Sequence, residues 1–501
     1  MRKPFTYSGI ARCCFPVLLM LSINTFAATY DHLSLPGKNT NQDSDNIDRN
    51  LGAEVTAYEY FVQNTMATGH IYYFNSKISA LAFAAELSGA CVKQVSTGAY
   101  IVGAGMKIQT AVDAAAAHAL VIIEAGNYHE DIIINKTITL KGADPNTTLV
   151  SGIIGGGSAT IQVNASGVVI DGITITRDGN TVATWSDALN TAGISIRTAG
   201  NMEVRNCIFI GNRTAIDVNN SNGNHIHNNI ITNNRSGLLF RNKTEQTIVT
   251  NNIITNNWTI GILFLDAGSG SYTQAQSALN SVFSNNNISG NWYAQVADRQ
   301  SAGSLISTGN NIKNFSCNWF GSISPIVSTN PTTEPDYTAQ IPVVYGGTAT
   351  APGGQPDIVG SAIANIVWQP YLINGADSDL SVGFQPLANS CRMPLSNVQI
   401  TGTANVIYKG GTGAATLIYQ NGIGSIQYSV DGTQPVNVVA SPFTISGLTA
   451  GRHIISVSDD AASTSMSVTI AEPVAEQAAN FIPAPITRKA ERSVKVKKDK
   501  E

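Results

Sequence analysis

A segment of about 22 residues recurs through the middle of the chain, and this repeat constrains the fold more than any other feature. The copies begin at asparagines that are 22, 23, 35 and 24 residues apart: Asn206, Asn228, Asn251, Asn286 and Asn310. The long step contains an insertion at 266–280, and an earlier copy at Asp171 has its own insertion around 178–191. Such a period fits one coil of three short strands, with stacked coils roughly 4.8 Å apart.

Aliphatic residues fall into columns when the copies are aligned, and a strand with one buried face requires this alternation. The predicted buried columns are Ile194, Ile216, Leu238 and Ile262; Ile196, Val218, Phe240 and Phe264; and Ile208, Ile230, Ile253, Ile288 and Ile312. The asparagines that begin the copies occupy one turn, where stacked amides can hydrogen-bond to each other. Asparagine also tolerates the left-handed backbone of tight turns. We therefore predict a structural asparagine ladder.

The stacked coils need covered ends, because exposed strand edges would pair with other chains. The segment 106–120 has an apolar helical face, and we predict a helix that caps the N-terminal end of the solenoid. From residue 397 the pattern changes to short alternating strands separated by turn residues such as Asp431 and Gly432. This pattern predicts a small β-sandwich after the solenoid.

Further motifs carry a resemblance to known families: "IQTAVDAA", "EAGNYHEDIIINKTITLKG", and "CNWFGSISP" followed by "IVWQPYL". With the coils, they make the chain similar to the right-handed parallel β-helices, or pectin-lyase-like proteins, over roughly 104–372. The resemblance implies an all-β solenoid in a superfamily of lyases, hydrolases, esterases, epimerases, tailspikes and non-catalytic surface proteins. The segment "YSVDG…FTISGLTAGRHIISVSD" resembles the immunoglobulin-like modules of secreted bacterial surface proteins, which implies a spacer or an attachment module.

These features divide the chain into five predicted parts. They are a signal peptide at 1–28, an N-terminal extension at 29–103, a parallel β-helix with closing loops at 104–395, a β-sandwich at 396–473 and a disordered basic tail at 474–501. The signal peptide is indicated by early basic residues, an apolar run at 15–23 and small residues at Ala27 and Ala28. We therefore expect bacterial-type export to the cell surface or the extracellular space, with no membrane span.

Composition and cysteine content limit the partners and the covalent structure. Only 12% of residues are charged and the formal net charge is −4, so we expect no nucleic-acid partner. The sequence leaves two alternatives open for the cysteines that remain after removal of the signal peptide: one or two disulfides, or buried thiols. The remaining cysteines are Cys91, Cys207, Cys317 and Cys391. The sequence leaves the oligomeric state open.

The motifs of several enzyme branches of this superfamily are missing. The stretch from Gly126 to Glu130 resembles the Gly-x-Tyr-x-Glu of pectin esterases, but the two segments that carry the esterase aspartates are absent. The Asn-Thr-Asp, Asp-Asp and His-Gly-His motifs of polygalacturonases do not occur in the coils, and neither does the Asp-Pro-His-Asp of epimerases. The resemblance therefore leaves a lyase as the enzyme branch to consider.

One outward strand face has the chemistry of a glycan site. Guanidinium groups pair with carboxylates, and an indole offers an apolar face for a sugar ring. The predicted ligand-binding residues are Arg197, Asp217, Asn219 and Arg241 on three consecutive coils, with Arg177, Trp185 and Asp187 from the neighbouring insertion. Carboxylates are few, and the face continues as Leu239, Leu263 and Leu265. We therefore predict a secreted or surface protein without catalytic activity that binds polysaccharide on the exterior of the β-helix.

The alternative prediction is a polysaccharide lyase that acts on uronate-containing glycans. β-Elimination needs a base and a cation that neutralises the carboxylate. In this alternative Arg197 or Arg241 is the base, and Asp217 helps to hold Ca²⁺. We expect no cofactor otherwise.

Two histidines lie two residues apart on a predicted strand, so both should face outward. His225 and His227 follow Glu203 and Arg205 of the preceding coil. Two imidazoles make a metal site conceivable. The sequence shows no evident third ligand, and we predict exposed side chains and no metal.

Overall fold

The computed structural model describes residues 58–64, 71–153, 159–177, 192–266, 275–300, 310–329, 356–360 and 365–473. The predicted signal peptide at 1–28, the tail at 474–501, Trp185 and Asp187 lie outside these ranges. No helix in the described part of the chain is long and apolar enough to cross a membrane.

The N-terminal extension adds strands to the solenoid. Its elements are β1 (Tyr60–Asn64), β2 (Ile71–Phe74), α1 (Lys77–Ala85), β3 (Ala90–Gln94) and β4 (Tyr100–Val102). Strand β1 pairs in antiparallel fashion with β2 and β3, and β4 pairs in parallel with the first strand of the coils. One continuous sheet therefore crosses the predicted boundary at residue 103.

The predicted capping helix is α2 (Ile108–Ala114), which is shorter than the segment 106–120. The helix ends where Ala115 adopts an extended backbone. The buried carboxylate of Glu130 accepts hydrogen bonds from the backbone amides of Ile108 at 2.8 Å and Gln109 at 3.0 Å. Because the first amides of a helix have no partner within it, Glu130 stabilises the start of α2. The glutamate of the Gly-x-Tyr-x-Glu stretch therefore has a structural role here.

Three sheets of parallel strands form the coils of a right-handed β-helix, and from β5 to β25 the chain visits sheets A, B and C in turn. The strands are β5 (Leu120–Ile123), β6 (Gly126–His129), β7 (Ile132–Ile134), β8 (Thr139–Gly142), β9 (Thr148–Gly152), β10 (Ala159–Val163), β11 (Val169–Asp171), β12 (Thr174–Arg177), β13 (Ala192–Arg197), β14 (Glu203–Arg205), β15 (Ile208–Phe209), β16 (Thr214–Asn219), β17 (His225–His227), β18 (Ile230–Thr232), β19 (Ser236–Arg241), β20 (Ile248–Thr250), β21 (Ile253–Thr255), β22 (Ile260–Leu265), β23 (Ser281–Ser284), β24 (Asn287–Ser289), β25 (Ala294–Asp298), β26 (Lys313–Asn314), β27 (Val327–Ser328), β28 (Ile358–Gly360) and β29 (Ile366–Val367). Sheet A runs from β2 to β29, sheet B from β6 to β24 and sheet C from β7 to β27.

The asparagines that begin the repeats set the backbone of the turn from sheet A to sheet B. Asn206, Asn228 and Asn251 have φ values of 52°, 54° and 58°. This left-handed conformation is costly for most residues and is tolerated by asparagine. The next residue in the column is Asn285, with φ of 56°, and the backbone amide of Asn251 donates to its carbonyl at 3.1 Å. The predicted equivalence of Asn286 is therefore wrong by one residue.

The ladder is formed by the asparagines that follow these left-handed residues, and a second ladder lies at the turn from sheet B to sheet C. Within each ladder, Nδ2 of one asparagine donates to Oδ1 of the next at 2.9 to 3.2 Å. The members are Asn229, Asn252, Asn286 and Asn318 in the first ladder, and Asn212, Asn234, Asn257 and Asn291 in the second. The sequence correctly predicts an asparagine ladder but assigns the wrong residues to it. Asn310 belongs to neither of the two ladders.

Two of the three predicted aliphatic columns are confirmed. The columns that begin at Ile194 and Ile196 pair across sheet C and are fully buried. The third predicted column is wrong for Ile208, Ile230 and Ile253, which face outward across sheet B and are half-buried, and only its member Ile288 is fully buried. The inward column of sheet B is Phe209, Ile231, Ile254 and Ile288. Isoleucines occupy both faces of these strands, so alternation alone does not identify the buried one.

An ion pair lies inside the β-helix near its C-terminal end. The side chains of Lys313 and Asp298 are both 0% exposed, and Nζ lies 3.0 Å from Oδ2. The ammonium also lies 4.9 Å from the ring centre of Phe264. Burial lowers the pKa of Lys313, and the charge of Asp298 opposes this shift. A buried pair of this kind depends on both partners being present.

A disulfide joins the last coil to the segment that follows the β-helix. Cys317 is bonded to Cys391, whose strand β31 (Cys391–Arg392) pairs with β30 (Tyr371–Leu372). Cys91 and Cys207 are buried free thiols. Burial raises the pKa of Cys207 to about 12, so this thiol stays protonated and unreactive.

The predicted β-sandwich is confirmed as two antiparallel sheets that enclose a separate apolar core. One sheet has the order β32-β33-β36 and the other β35-β34-β37-β38. The strands are β32 (Ser396–Ala404), β33 (Gly413–Gln420), β34 (Gln427–Val430), β35 (Val436–Asn437), β36 (Phe443–Leu448), β37 (Gly451–Ser458) and β38 (Ser463–Ile470).

We predict that Asn252→Ala destabilises the β-helix by about 3 kcal/mol, because several buried hydrogen-bonding groups lose their partner at once. The Asn252 amide donates to Ile226 and Asn286 and accepts from Asn229. Urea unfolding followed by tryptophan fluorescence measures this, since all five tryptophans precede the sandwich. The control is Asn256→Gly at an exposed left-handed position, where we expect a change within roughly 1 kcal/mol. Equal effects of the two substitutions would contradict the ladder's role.

We predict that Lys313→Met lowers the free energy of unfolding by roughly 3 to 5 kcal/mol, because it leaves the Asp298 carboxylate buried without its partner. The double variant Lys313→Met/Asp298→Asn should recover most of the loss, since no buried charge remains. The same urea titration measures both proteins. If the double variant is less stable than the single variant, the ion pair itself stabilises the fold, beyond the effect of each charge neutralising the other.

Candidate functional site

A groove of about 480 Å³ lies on the outer face of sheet C. Parallel pairing places Arg197, Asn219 and Arg241 in one outward column of β13, β16 and β19. The adjacent outward column contains Asp217 and continues with Leu239. The groove is lined by Ala192, Arg197, Arg213, Thr214, Asp217, Arg235, Ser236, Leu239, Arg241, Thr259, Ile260, Leu263, Leu265 and Arg299. The structure thus brings together Arg197, Asp217 and Arg241 of the predicted site.

Arg241 and Asp217 form a two-point ion pair across neighbouring coils. Nε of Arg241 donates to Oδ1 of Asp217 at 3.0 Å, and Nη2 donates to Oδ2. The planar guanidinium matches a carboxylate in this arrangement. Asp217 is only 6% exposed, so the pair also compensates a largely buried charge. Both carboxylate oxygens are engaged, which leaves Asp217 poorly placed to hold Ca²⁺.

The other predicted site residues lie in different environments. Arg197 is exposed, and its Nε donates to Oγ of Ser195 at 3.1 Å. Asn219 is buried, and its Oδ1 accepts from Asn242 at 2.6 Å, so it supports the coil. The side chain of Arg177 is 1% exposed and lies 3.6 Å from Asp131, outside the groove. Trp185 and Asp187 lie outside the described residues.

Three further arginines line the groove. The alternation of strand residues between the two faces of a sheet does not predict them. Arg213 and Arg235 immediately precede β16 and β19 at the same position of two successive coils. They are visible in the sequence as the aligned segments "NRTAIDV" and "NRSGLLF". Arg299 follows β25, and its guanidinium lies 5.5 Å from the ring centre of Tyr293. Among the residues that the structure describes, five guanidinium groups and a single carboxylate therefore line the groove.

The floor of the groove is apolar at its C-terminal end. Leu239 and Leu265 are half-buried and pack against a cluster that lies outside the bore of the β-helix. The buried members of this cluster are Ile260, Leu263, Trp292, Tyr293, Ala294, Ala297 and Val359. Because Trp292 and Tyr293 are buried, the aromatic rings support the floor and offer little surface to a ligand.

A second polar cluster lies on the outer face of sheet A. Pairing of β14 with β17 places Glu203 beside His225 and Arg205 beside His227. Oε1 of Glu203 is 3.1 Å from Nε2 of His227 and accepts from Nη1 of Arg205 at 2.7 Å. Burial opposes ionisation of Glu203, but the partners His227 and Arg205 outweigh it and lower its pKa. Burial and the neighbouring His227 lower the pKa of His225. The structure therefore supplies Glu203 as the third potential ligand that the sequence leaves unidentified.

Comparison with known proteins matches the coils to the family described as "Right handed beta helix region" over residues 133–278. No curated protein matches the chain by sequence. Among solved structures, DFA-IIIase from Arthrobacter chlorophenolicus A6 is 15% identical, with a TM-score of 0.29 and coverage of 40% of this chain. The chain spans only 57% of that protein's length.

Two other similar structures are an alginate lyase and a plant esterase. The lyase from Paenibacillus sp. str. FPU-7 is 12% identical, with a TM-score of 0.29 and coverage of 52% of this chain and 96% of the lyase. The pectin methylesterase from carrot is 13% identical, with a TM-score of 0.23 and coverage of 56% and 88%. At these values the similarities say nothing about activity. The matched region and the three parallel sheets show that the coils of this chain form a right-handed parallel β-helix.

We predict that Arg241→Met destabilises the β-helix by roughly 1 to 3 kcal/mol, because Asp217 would remain buried without its ion-pair partner. Adding Asp217→Asn removes that charge and should recover most of the loss. Urea unfolding followed by tryptophan fluorescence checks both. The matched control is Arg197→Met at an exposed position of the same column, with an expected change within about 0.5 kcal/mol. If Arg241→Met and Arg197→Met behave alike, the pair has no structural role.

Proposed function

We propose that the protein is an exported, non-catalytic β-helix protein that binds an anionic polysaccharide in the groove of sheet C. The observation that carries the proposal is the charge of the groove: its described lining residues include five arginines and one aspartate. Guanidinium groups recognise carboxylates and sulfates through paired hydrogen bonds. A chain that repeats one acidic group per sugar would meet successive arginines on successive coils.

The arrangement of the groove supports binding over catalysis. Ca²⁺ takes six to eight oxygen ligands, usually including several carboxylates. Among the described lining residues only Asp217 has a carboxylate, and it is paired with Arg241. That pairing also engages the guanidinium of Arg241, which leaves it poorly placed to act as a base. Arg197 is the remaining candidate base of the lyase alternative.

Two features support export. The segment 1–28 has the composition of a signal peptide. The disulfide between Cys317 and Cys391 is typical of proteins in oxidising compartments. The C-terminal β-sandwich, which resembles immunoglobulin-like modules, would then space the β-helix from a surface or attach it there.

The proposal predicts that the purified protein binds polygalacturonate or alginate, does not bind neutral dextran, and loses affinity as salt increases. Arg197→Gln should weaken binding roughly tenfold, because one charge-assisted hydrogen bond is lost. Asp217→Asn should bind at least as tightly as the wild type, because it removes the one negative charge among the described lining residues. Calorimetric titration measures the affinity of all three proteins. Arg452→Gln in the sandwich is the control, because it removes one positive charge away from the groove.

The same samples with added Ca²⁺ test for catalysis through the ultraviolet absorbance of unsaturated products. Product formation that is lost in Arg197→Gln would overturn the non-catalytic assignment in favour of a lyase. Weaker binding in Asp217→Asn than in the wild type would point to Ca²⁺-mediated binding. Equal binding of dextran and polyuronate would contradict the charge argument.

A further inference from the structure

The polar cluster on sheet A has the donor set of a metal site. His225 and His227 are alternate residues of β17, so both imidazoles project from the same outer face. Glu203 on β14 lies directly beside His225. One ligand atom from each of the three side chains can be chosen so that all lie within 4.8 Å of one another. The two imidazole rings stack with centres 4.0 Å apart.

The neighbours of His227 do not suit a neutral imidazole, because both ring nitrogens face hydrogen-bond acceptors. Nδ2 of Asn228 faces the carbonyl of Val382 at 3.4 Å, so Oδ1 is the amide atom that faces Nδ1 of His227, at 2.8 Å. An amide oxygen only accepts, so Nδ1 carries the proton. In neutral His227, Nε2 would then point its lone pair at the Glu203 carboxylate 3.1 Å away. A proton between Nε2 and the facing oxygen removes the repulsion, and so does a metal ion that is bound by Nε2 and by the Glu203 carboxylate.

The other two side chains have donor atoms available. Within the described ranges, the ring nitrogens of His225 have no hydrogen-bond partner, and neither does Oε2 of Glu203. Arg205 approaches only Oε1 of Glu203, and its own charge is shared with Asp171 at 3.2 Å. The carboxylate can therefore bind a cation through Oε2 while Oε1 keeps its contact with Arg205.

A segment from beyond the coils holds the supporting residue in place. The backbone amide of Phe384 donates to the carbonyl of Asn251 at 2.8 Å, and Nδ2 of Asn251 donates back to the Phe384 carbonyl at 3.1 Å. Gly383 has φ of 97°, and a Cβ there would lie 2.5 Å from the backbone of Asn228. This close approach positions Asn228, whose Oδ1 orients His227 as outer partners of metal-bound histidines do.

We infer that Glu203, His225 and His227 bind a zinc ion on the outer face of sheet A, with solvent completing the coordination. Imidazole and carboxylate are ordinary zinc ligands, and three protein ligands with one open position are a common arrangement. Tetrahedral zinc places its ligand atoms roughly 3.4 Å apart, so small side-chain rotations complete the site. The inference is independent of the proposed polysaccharide binding, which concerns sheet C.

The test uses the full chain without a histidine tag, freed of metal by a chelator and titrated calorimetrically with Zn²⁺. We expect one strong site per chain. His225→Ala, His227→Ala and Glu203→Gln should each weaken it by tenfold or more, while His129→Ala on β6 should leave it unchanged. Bound Co²⁺ should give the visible absorption of a low-symmetry site in the wild type and lose it in His225→Ala.

Thermal unfolding of the metal-free variants verifies that each is folded, and Zn²⁺ should raise the midpoint only where the site is intact. The inference is overturned if the wild type binds no zinc at millimolar concentration. It is also overturned if folded His225→Ala and His227→Ala bind zinc as tightly as the wild type, because the ion would then lie elsewhere.

Discussion

The β-helix depends on buried asparagine amides that join each coil to the next. A side-chain amide carries a donor and an acceptor, so one residue type can repeat indefinitely, with each copy bonded to its neighbours. Nδ2 of Asn252, for example, donates to the Ile226 carbonyl at 2.9 Å as well as to the next ladder member. Since an unpaired buried amide costs free energy comparable to a lost hydrogen bond, a coil shifted by one residue would be strongly disfavoured.

This fixed register creates the outer surfaces. Side chains alternate between the two faces of each strand, and a shift of one residue would exchange the faces. Arg197, Asn219 and Arg241 are 22 residues apart in sequence, yet parallel pairing makes them neighbours. The same register places Glu203 beside His225 on sheet A. Chemistry on this protein's surface is therefore assembled from positions one coil apart.

The sequence was sufficient to predict the coils, the inward columns of sheet C and the presence of a ladder. It was insufficient for the register of the ladder, because three of these turns contain two adjacent asparagines with different roles. Asn251 adopts the left-handed backbone and Asn252 points inward, and nothing in composition distinguishes them. The run Asn285-Asn286-Asn287 makes the assignment ambiguous a second time.

The candidate site shows a similar limit. Alternation correctly predicts that Arg197, Asp217 and Arg241 face outward over consecutive coils. It does not predict that Arg241 reaches back to Asp217 in the adjacent column, because that contact depends on the direction of a long side chain. It also omits Arg213 and Arg235, which precede their strands and so fall outside a rule about strand residues.

The lengths of the turns favour sheet C as the face that recognises a ligand. The turns that follow β14, β17, β20 and β23, from sheet A to sheet B, are two residues long, one left-handed and one at the ladder position. An insertion there would separate these two residues and break the stack. Longer connections occur instead at the ends of sheet C strands: 178–191 before β13, 266–280 after β22 and 299–312 after β25. In repeat proteins, insertions concentrated along one face often mark the binding face, and here they adjoin or include in sequence three residues that line the groove, Ala192, Leu265 and Arg299.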